Sequence, residues 1–316
     1  MSVSLARFGL AVGHATDAAG GTGCTVVRGV TAPHRAAVSV LGRATGSREL
    51  ALLEPGHLVE RVDAVLLTGG SAYGLDSAAG VMRWMEEHRR GFPVGPGVVP
   101  IVPGAVLFDL APCGRFDARP TPEMAYAACA SATSEGIAEG SVGAGTGAVV
   151  GKLRGAVGAM KGGLGVAVAE GKGCAAAAIV AVNAFGDVRD EQRQIIAGAR
   201  DETGAFINAE RAIGGGTDPG GFAATNTTLA VVALDAAFSR VELKQIAEAA
   251  AAAYHRCITP SGTAADGDII FALAPMEGGK ASLAQAEMLA VQALQAAIVR
   301  AVRLAKGRDG IPGLAD

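Results

Sequence analysis

Hydrophobic residues along the chain follow two patterns, and each predicts a different element. Short unbroken apolar runs, bounded by glycine or polar turn residues, are typical of buried strands. Runs in which apolar residues recur three and four positions apart are typical of amphipathic helices. The predicted strands span residues 64–67, 175–182, 229–234 and 268–273. The predicted helices span residues 75–88, 122–136, 241–255 and 283–304.

Glycine and proline interrupt this pattern at three places. Four prolines between residues 93 and 103 predict an irregular or edge-strand connection on the surface, because proline removes a donor from a strand. Residues 140–147 (GSVGAGTG) have only small residues between the glycines, so we expect the backbone to pass close to another segment there. Residues 214–221 have the composition of a flexible connector and lie just upstream of Thr227, which makes them a natural place for a chain break.

The composition favours a large core made of small aliphatic side chains. Of the 316 residues, 50% are hydrophobic but 4% are aromatic, and 46 are glycine. Alanine, valine, leucine and isoleucine must therefore fill the core between closely approaching backbones, which suits layered helices and sheets. A chain of this length could form one large domain or two smaller ones. We expect one domain spanning residues 1–316.

Charge and cysteine usage exclude several function classes. The formal net charge is -3 and lysine and arginine are not clustered, so nucleic-acid binding is not expected. No apolar run reaches the roughly 20 residues that a spanning helix needs, and the first residues do not resemble a secretory signal. We therefore expect a soluble, cytoplasmic protein that does not bind a membrane. The five cysteines and five histidines show no CxxC or HExxH spacing, so we expect no metal and no cofactor.

Thr227 lies where a glycine-loaded loop meets the predicted strand over residues 229–234. A chain cut before Thr227 would begin with a hydroxyl nucleophile and an α-amine whose pKa of about 7.7 to 8.0 suits a general base. A hydroxyl held against the preceding carbonyl can also attack it, which predicts self-cleavage between Asn226 and Thr227. The alternative is that Thr227 and Thr228 simply begin a strand, as β-branched residues often do.

Four further polar residues are candidate partners, and each has a simpler explanation. Asp266 and Asp268 are two positions apart in an extended segment, so their carboxylates could face one side and hold the new terminus, with mutual repulsion raising one pKa. Alternatively they belong to a solvated Asp-Gly turn. Lys152 could lower neighbouring pKa values or stabilise negative charge, or it could be an exposed surface lysine. Asn183, at a strand end, could donate its amide to an oxyanion or form an Asx turn.

The glycine run before Lys152 also satisfies a loose dinucleotide fingerprint, through Gly143 and Gly145, and resembles the end of a phosphate-binding P-loop. A P-loop would need glycine at the position of Thr146 and serine or threonine at the position of Leu153. The fingerprint also follows helix-like sequence instead of a strand. We therefore do not expect nucleotide binding.

Several separated blocks, in the same order, resemble the self-processing N-terminal-nucleophile hydrolases. That family includes DmpA (an L-aminopeptidase/D-esterase), the β-peptidyl aminopeptidases and the 6-aminohexanoate-oligomer (nylon oligomer) endohydrolases. The blocks extend over nearly the whole chain and are residues 12–17, 22–25, 66–81, 140–152, 226–228 and 255–268. The resemblance implies an α/β fold of the DmpA and ornithine acetyltransferase type, a four-layer αββα sandwich. It also implies a homotetramer in which two fragments, residues 1–226 and 227–316, remain associated.

Within that family the nucleophile is serine in the aminopeptidases and threonine in the nylon-oligomer hydrolases, which also carry an Asp-Gly-Asp element. Thr227 and residues 266–268 resemble the threonine branch. The catalytic set that the resemblance implies is Lys152, Asn183, Thr227, Asp266 and Asp268. The substrate pocket that it implies includes Tyr73, Phe108, Gly143 and Gly145.

Two departures from the family pattern bear on substrate preference. Residues 261–263 (Ser-Gly-Thr) stand where relatives often carry a His-Thr pair, and Phe108 stands where the nylon-oligomer enzymes can have tyrosine. Each change removes a polar group near the inferred pocket.

The sequence thus predicts an autoprocessed threonine hydrolase that cleaves linear amide bonds of peptides or 6-aminohexanoate oligomers through an acyl-enzyme. One alternative is an aminopeptidase acting on β-, D- or L-amino-acid amides. Another is an acyltransferase of the ornithine acetyltransferase type, which also cuts itself before threonine. A third is a non-catalytic assembly or binding protein that keeps the fold.

Overall fold

Two β-sheets lie face to face at the centre of the protein. The computed structural model describes residues 3–218 and 225–316. The first sheet has the strand order β1-β2-β6-β9-β4, and the second has the order β12-β13-β16-β18-β3-β5. In chain order the strands are β1 (Leu10–Asp17), β2 (Thr22–Gly29), β3 (His34–Val40), β4 (Gly46–Arg48), β5 (Arg61–Val62), β6 (Ala64–Thr68), β7 (Phe92–Val94), β8 (Gly97–Val99), β9 (Gly104–Val106), β10 (Val149–Val150), β11 (Met160–Lys161), β12 (Gly163–Gly171), β13 (Cys174–Asn183), β14 (Asp187–Arg189), β15 (Ile195–Ala197), β16 (Thr227–Leu234), β17 (Ile258–Thr259) and β18 (Ile269–Pro275).

Helices cover the outer face of each sheet. Val26 of the first sheet packs with Trp84 in one apolar cluster, and Val232 of the second sheet packs with Leu294 in another. A third cluster fills the space between the two sheets. The layer order is therefore αββα, which confirms the predicted fold class. The helices are α1 (Ala78–Glu87), α2 (Pro122–Ala130), α3 (Ala209–Gly214), α4 (Arg240–Cys257) and α5 (Leu283–Arg303).

The central strand β16 is buried on both faces because layers of apolar side chains lie on either side of it. Leu229 and Val231 belong to the cluster between the sheets, whereas Ala230 and Val232 belong to the cluster under α4 and α5. A continuous apolar run is what such a doubly covered strand requires. β16 pairs antiparallel with β13 and parallel with β18. The start of β16 therefore lies beside the end of β13 and the start of β18.

Glycines in the strands let the helices approach the sheets closely. A Cβ atom on Gly165 of β12 would lie 2.0 Å from the carbonyl oxygen of Ala297 in α5. A Cβ atom on Gly13 of β1 would lie 1.9 Å from the carbonyl oxygen of Ala128 in α2. Both distances are far below van der Waals contact, so a larger residue would push the layers apart. The close backbone approach that the composition predicts is present in both halves of the sandwich.

Each predicted strand and helix is present, with some ends displaced. The helix predicted over residues 122–136 ends at Ala130, because Thr133 leaves the helical path and forms an antiparallel bridge with Val12 of β1. The helix predicted over residues 75–88 begins as a 3-10 helix, Ser71–Ser77, and becomes α-helical at Ala78. Among the described residues, no helix has the combination of length and apolar character that crossing a bilayer would take.

The proline-containing segment is a surface connection over only part of its length. Residues 92–99 form the largely exposed hairpin of β7 and β8, as predicted. The expectation is wrong for Pro100 and Pro103, which are buried. The reason is that Ile101, between them, packs in the inter-sheet core, while its N–H donates to the carboxylate of Asp63 at 2.9 Å. The predicted connector over residues 214–221 lies partly outside the described residues.

A candidate active site around Thr227

The register of β13 against β16 places Asn183 directly opposite Thr227. Thr227 is the first residue of β16 and Asn183 is the last residue of β13, so both lie at one end of the second sheet. Thr227 is 5% exposed and Asn183 is 1% exposed. In an antiparallel pair, the end of one strand lies beside the start of the other. The predicted end of β13 therefore meets the predicted start of β16.

The hydroxyl of Thr227 lies against its own upstream peptide bond. Thr227 Oγ1 donates to the carbonyl oxygen of Asn226 at 2.6 Å. The same carbonyl oxygen accepts the backbone N–H of Gly267 at 2.8 Å. A Cβ atom on Gly267 would lie 2.5 Å from Thr227 Oγ1, so only glycine lets this backbone approach the hydroxyl so closely.

Asn183 and Lys152 hold a second carbonyl of the same segment. Lys152 Nζ donates to Thr225 O at 2.7 Å, and Asn183 Nδ2 donates to the same oxygen at 3.2 Å. Asn183 Oδ1 accepts from Lys152 Nζ at 2.9 Å and from the backbone N–H of Val149 at 3.1 Å. Since a backbone N–H can only donate, the Val149 contact fixes the amide orientation and leaves Nδ2 facing the Thr225 carbonyl.

Lys152 is buried, and its ammonium group loses a proton more easily than that of an exposed lysine. Gly151, at φ 69°, begins a short 3-10 turn that turns Lys152 inward, and the side chain is 1% exposed. Burial lowers the pKa of Lys152 to about 7, although the charge of Asp266 acts in the opposite direction. A substantial share of Lys152 is therefore a neutral amine near pH 7, and the expectation of an exposed surface lysine does not apply.

The two aspartates are buried beside the start of β16 and contact backbone amides. Asp268 Oδ1 accepts the N–H of Thr228 at 2.7 Å, and Asp266 Oδ2 accepts the N–H of Thr263 at 2.7 Å. Burial, followed by repulsion from Asp266, raises the pKa of Asp268 to about 7. The carboxylates thus hold the residue after the candidate nucleophile and the loop over residues 261–263. Both are 3% exposed, so they are not a solvated turn.

A small cavity of about 150 Å³ opens beside Thr227. Its wall includes Thr45, Ser71, Val106 and Phe108. Ser71 has φ 50°, an unusual conformation for a residue with a side chain, and its N–H donates to the carbonyl of Leu107 at 3.0 Å. The structure thus brings Phe108 to the candidate nucleophile and adds Ser71, which the sequence reasoning missed although the preceding Gly69-Gly70 turn was a signal.

Three predicted pocket residues lie elsewhere. Gly143 and Gly145 form a buried 3-10 turn in which added Cβ atoms would lie 2.3 Å from Thr25 Oγ1 and 2.3 Å from the backbone nitrogen of Leu164. These glycines allow the turn to pack closely against β2 and β12, and they do not belong to the cavity wall. Tyr73 is 53% exposed and stacks under the guanidinium of a neighbouring arginine, outside the wall.

Two larger cavities, of about 560 and 540 Å³, lie at the other end of β16. One is lined by Ala237 and Arg240, and the other by Asp235 and His34. Neither wall contains any of the residues clustered at Thr227, so the candidate active site does not lie in either of the two larger cavities. Within residues 3–218 and 225–316, no group of three or more His, Cys, Asp or Glu side chains comes together as metal ligands.

Known proteins share both sequence and fold with this chain. The sequence profile of peptidase family S58 matches residues 8–314. The chain belongs to peptidase family S58. Hydrolysis of peptide or amide bonds is therefore its class of reaction.

Relatives in sequence carry two different descriptions. An uncharacterized aminopeptidase of Mycobacterium leprae is 42% identical over 283 residues, which is 84% of this chain and 76% of the relative. A 6-aminohexanoate-oligomer endohydrolase of Paenarthrobacter ureafaciens is 31% identical over 278 residues, which is 84% of this chain and 72% of the relative. Both agree with the resemblance predicted from the motifs.

The S58 chain also matches solved structures along nearly its whole length. The L-aminopeptidase D-Ala-esterase/amidase of Ochrobactrum anthropi, described as a variant of the Ntn-hydrolase fold, superposes with a TM-score of 0.70 at 20% identity, over 96% of this chain and 86% of that chain. A β-aminopeptidase from Burkholderia sp. gives a TM-score of 0.69 at 19% identity, over 97% of this chain and 88% of that chain. The fold is therefore that of the Ntn-hydrolase aminopeptidases.

Proposed function

We propose that the chain cuts itself between Asn226 and Thr227 and then hydrolyses amide bonds with Thr227 as an N-terminal nucleophile. The observation that carries this proposal is the position of Thr227 Oγ1, 2.6 Å from the carbonyl oxygen of Asn226. A threonine that only began a strand would not need its hydroxyl against its own upstream carbonyl, nor a glycine backbone packed against that hydroxyl.

In the self-cleavage step, Thr227 Oγ attacks the carbonyl carbon of Asn226. The N–H of Gly267 already donates to the carbonyl oxygen and stabilises the oxyanion that forms there. The C–N bond then breaks, the α-nitrogen of Thr227 takes a proton and becomes an amine, and an ester joins Asn226 to the threonine oxygen. Water hydrolyses this ester, which gives a carboxylate at Asn226 and frees the hydroxyl of Thr227.

Self-cleavage needs a base other than the α-amine, because that nitrogen is still part of a peptide bond. We assign this role to Lys152, whose pKa of about 7 provides a neutral amine near neutral pH. Its Nζ atom is fixed at the adjoining carbonyl of Thr225 by a 2.7 Å hydrogen bond. Asp268, whose pKa is also raised to about 7, holds the backbone of Thr228 and thereby orients the start of β16.

In substrate hydrolysis the new α-amine of Thr227 accepts the hydroxyl proton while Oγ attacks the substrate amide carbonyl. The proton passes to the leaving nitrogen as the C–N bond breaks, which leaves an acyl-threonine ester. Water then attacks the ester, gives its proton to the threonine oxygen and releases the acid. The net reaction is one amide and one water giving one acid and one amine.

Asn183 supplies a donor for the substrate oxyanion in this proposal. In the continuous chain its Nδ2 atom and Lys152 Nζ donate to the carbonyl oxygen of Thr225. When the segment ending at Asn226 moves after cleavage, these two donors become available to a substrate oxygen. In the uncut chain the carbonyl oxygen of Thr225 therefore occupies the position that the substrate oxyanion would take. This occupancy keeps the uncut chain inactive.

We propose that residues 1–226 and 227–316 remain associated after cleavage. β16 lies inside the second sheet, with β13 of the first fragment on one side and β18 of the second fragment on the other. Its side chains are buried in the two main cores, so separation would expose a large apolar area. Assembly of these fragment pairs into a homotetramer stays a prediction from the family resemblance.

The substrate class follows from the relatives, one described as a 6-aminohexanoate-oligomer endohydrolase and another as an aminopeptidase. We propose linear amides of peptides or 6-aminohexanoate oligomers, with aminopeptidase activity as the second candidate. Acyl trapping tests the mechanism. Self-cleaved protein mixed with an activated acyl ester and quenched in acid should carry the acyl group on Thr227, as located by peptide mass spectrometry. Acylation of another residue in its place would contradict the proposal.

A further inference from the structure

The cavity beside Thr227 has an uncharged wall. Among the described residues that line it, none has an ionisable side chain. Hydroxyl groups come from Thr45 and Ser71, and apolar surface comes from Val106 and Phe108. The neighbouring aspartates do not reach this wall, because their carboxylates face the backbone amides of Thr228, Gly262 and Thr263.

A substrate ammonium finds no partner on this wall. An ammonium that entered the cavity would lose part of its hydration, and no carboxylate among the described lining residues would replace that hydration.

Self-cleavage would not supply the missing negative charge. Cutting the chain creates a carboxylate at Asn226, but it also creates an ammonium group at Thr227. In the proposed function the segment that ends at Asn226 moves after cleavage, and it takes the new carboxylate away from Lys152 and from the cavity. The acyl site therefore gains no anion that could pair with a substrate amine.

We propose that the acyl site selects uncharged acyl groups, so that the bond cleaved is an internal amide or an amide behind a blocked amine. A substrate with a free ammonium next to the scissile carbonyl is then rejected, because the ammonium loses hydration and meets no carboxylate. This inference rests on the proposed function and separates its two candidates, because it favours endo-type cleavage over an aminopeptidase that needs a free N-terminus.

Three p-nitroanilides of matched size test this selection on the self-cleaved protein. Alanyl anilide carries an ammonium, lactoyl anilide replaces that ammonium with a hydroxyl, and N-acetylalanyl anilide blocks it. At pH 6.5 we expect kcat/KM to be at least about tenfold higher for the lactoyl and acetylalanyl compounds than for the alanyl compound. Faster cleavage of the alanyl compound than of both neutral ones would overturn the inference.

The pH dependence separates charge from shape. An α-amine has a pKa of about 8, so the alanyl compound becomes neutral as the pH rises from 6.5 to 9. The ratio of lactoyl to alanyl kcat/KM should therefore shrink toward unity, whereas a purely steric preference would give a constant ratio. Changes in the protein's ionisation that affect both substrates equally cancel in this ratio, because one enzyme sample cleaves both substrates.

A carboxylate added to the wall should change the preference. Thr45 is exposed at the cavity mouth, so its substitution leaves the buried cores intact. Thr45→Asp should favour the alanyl compound, relative to the lactoyl compound, by at least about tenfold compared with Thr45→Asn, which has the same shape without the charge. Equal ratios in the two variants would contradict the inference. If self-cleaved protein neither hydrolyses any of the three anilides nor acquires an acyl group, the proposed function itself fails and this inference with it.

Discussion

The hydroxyl of Thr227 donates a 2.6 Å hydrogen bond to the carbonyl oxygen of Asn226, the residue directly before it. This contact holds the proposed nucleophile against the carbonyl group of the peptide bond that it would cut. Gly267 approaches the same carbonyl from the other side through its N–H. In the continuous chain, the proposed attacking group and a donor for the proposed oxyanion therefore lie at one peptide bond.

Gly267→Ala should prevent self-cleavage. The added Cβ would lie 2.5 Å from Thr227 Oγ1 and 2.7 Å from the carbonyl oxygen of Ala44, so either the hydroxyl or the donating backbone must move. We expect the purified variant to remain a single band on denaturing electrophoresis. Gly279→Ala is the matched control, because its Cβ meets no atom within 4 Å, and it should yield two fragments. Complete cleavage of Gly267→Ala would show that this backbone position is not required.

Lys152→Ala should slow self-cleavage by at least about 100-fold, the usual scale for loss of a general base. The substitution removes the buried amine whose pKa is about 7 and leaves space for a small molecule. Added propylamine should restore part of the rate, and the restored rate should rise with pH as more propylamine becomes neutral. The measurement is the time course of fragment formation after refolding. Cleavage at the wild-type rate without propylamine would rule out the assigned base.

Asn183→Leu should lower kcat for amide hydrolysis by about 100- to 1000-fold with a smaller change in KM, the usual result of removing one oxyanion donor. Leucine is close to asparagine in shape but cannot donate to the oxygen that Asn183 Nδ2 contacts. The assay uses the fraction of protein that has cleaved itself, and thermal unfolding checks that the fold is retained. A change confined to KM would assign Asn183 to substrate binding instead.

Asp268 should make the uncut protein less stable as the pH rises. Its pKa is raised from 3.8 to about 7, so the folded state holds the proton more tightly than the unfolded chain does. The stabilisation from this group is complete below about pH 4 and is lost as the pH rises through about 7.

Urea unfolding in a Thr227→Ala background, which keeps the chain uncut, measures this effect. The free energy of unfolding of the chain with Asp268 should fall between pH 4 and pH 8 relative to the chain that also carries Asp268→Asn. Comparing the two chains removes the contributions of titrating groups that do not interact with Asp268. A difference that stays constant over this range would contradict the raised pKa.

The sequence predicted the layers well because apolar runs determine which segments are buried. The unbroken apolar run over residues 175–182 predicts a strand that is buried on both faces, and β13 is buried along its whole length. The family motifs also identified the five residues that the fold brings to one end of the second sheet. The sequence could not predict the register that places Asn183 opposite Thr227, because that register depends on pairing between distant segments.

The pocket was harder to predict because glycine has more than one use. Gly143 and Gly145 do mark a close backbone approach, but the neighbours are β2 and β12 instead of a substrate. The cavity beside Thr227 is lined by short segments from four parts of the chain, including Ser71 and Phe108. Hydrophobic periodicity carries no information about such loops. For the same reason, the sequence pattern did not predict that Pro100 is buried, since prolines usually mark surface connections.

The intact mass of the purified protein tests the central claim most directly. We predict two species whose masses sum to that of the full chain plus one water, with the smaller species beginning at Thr227. The Thr227→Ala variant should give one species with the mass of the full chain. A single uncut species in active wild-type protein, or a cut at any other bond, would contradict the account.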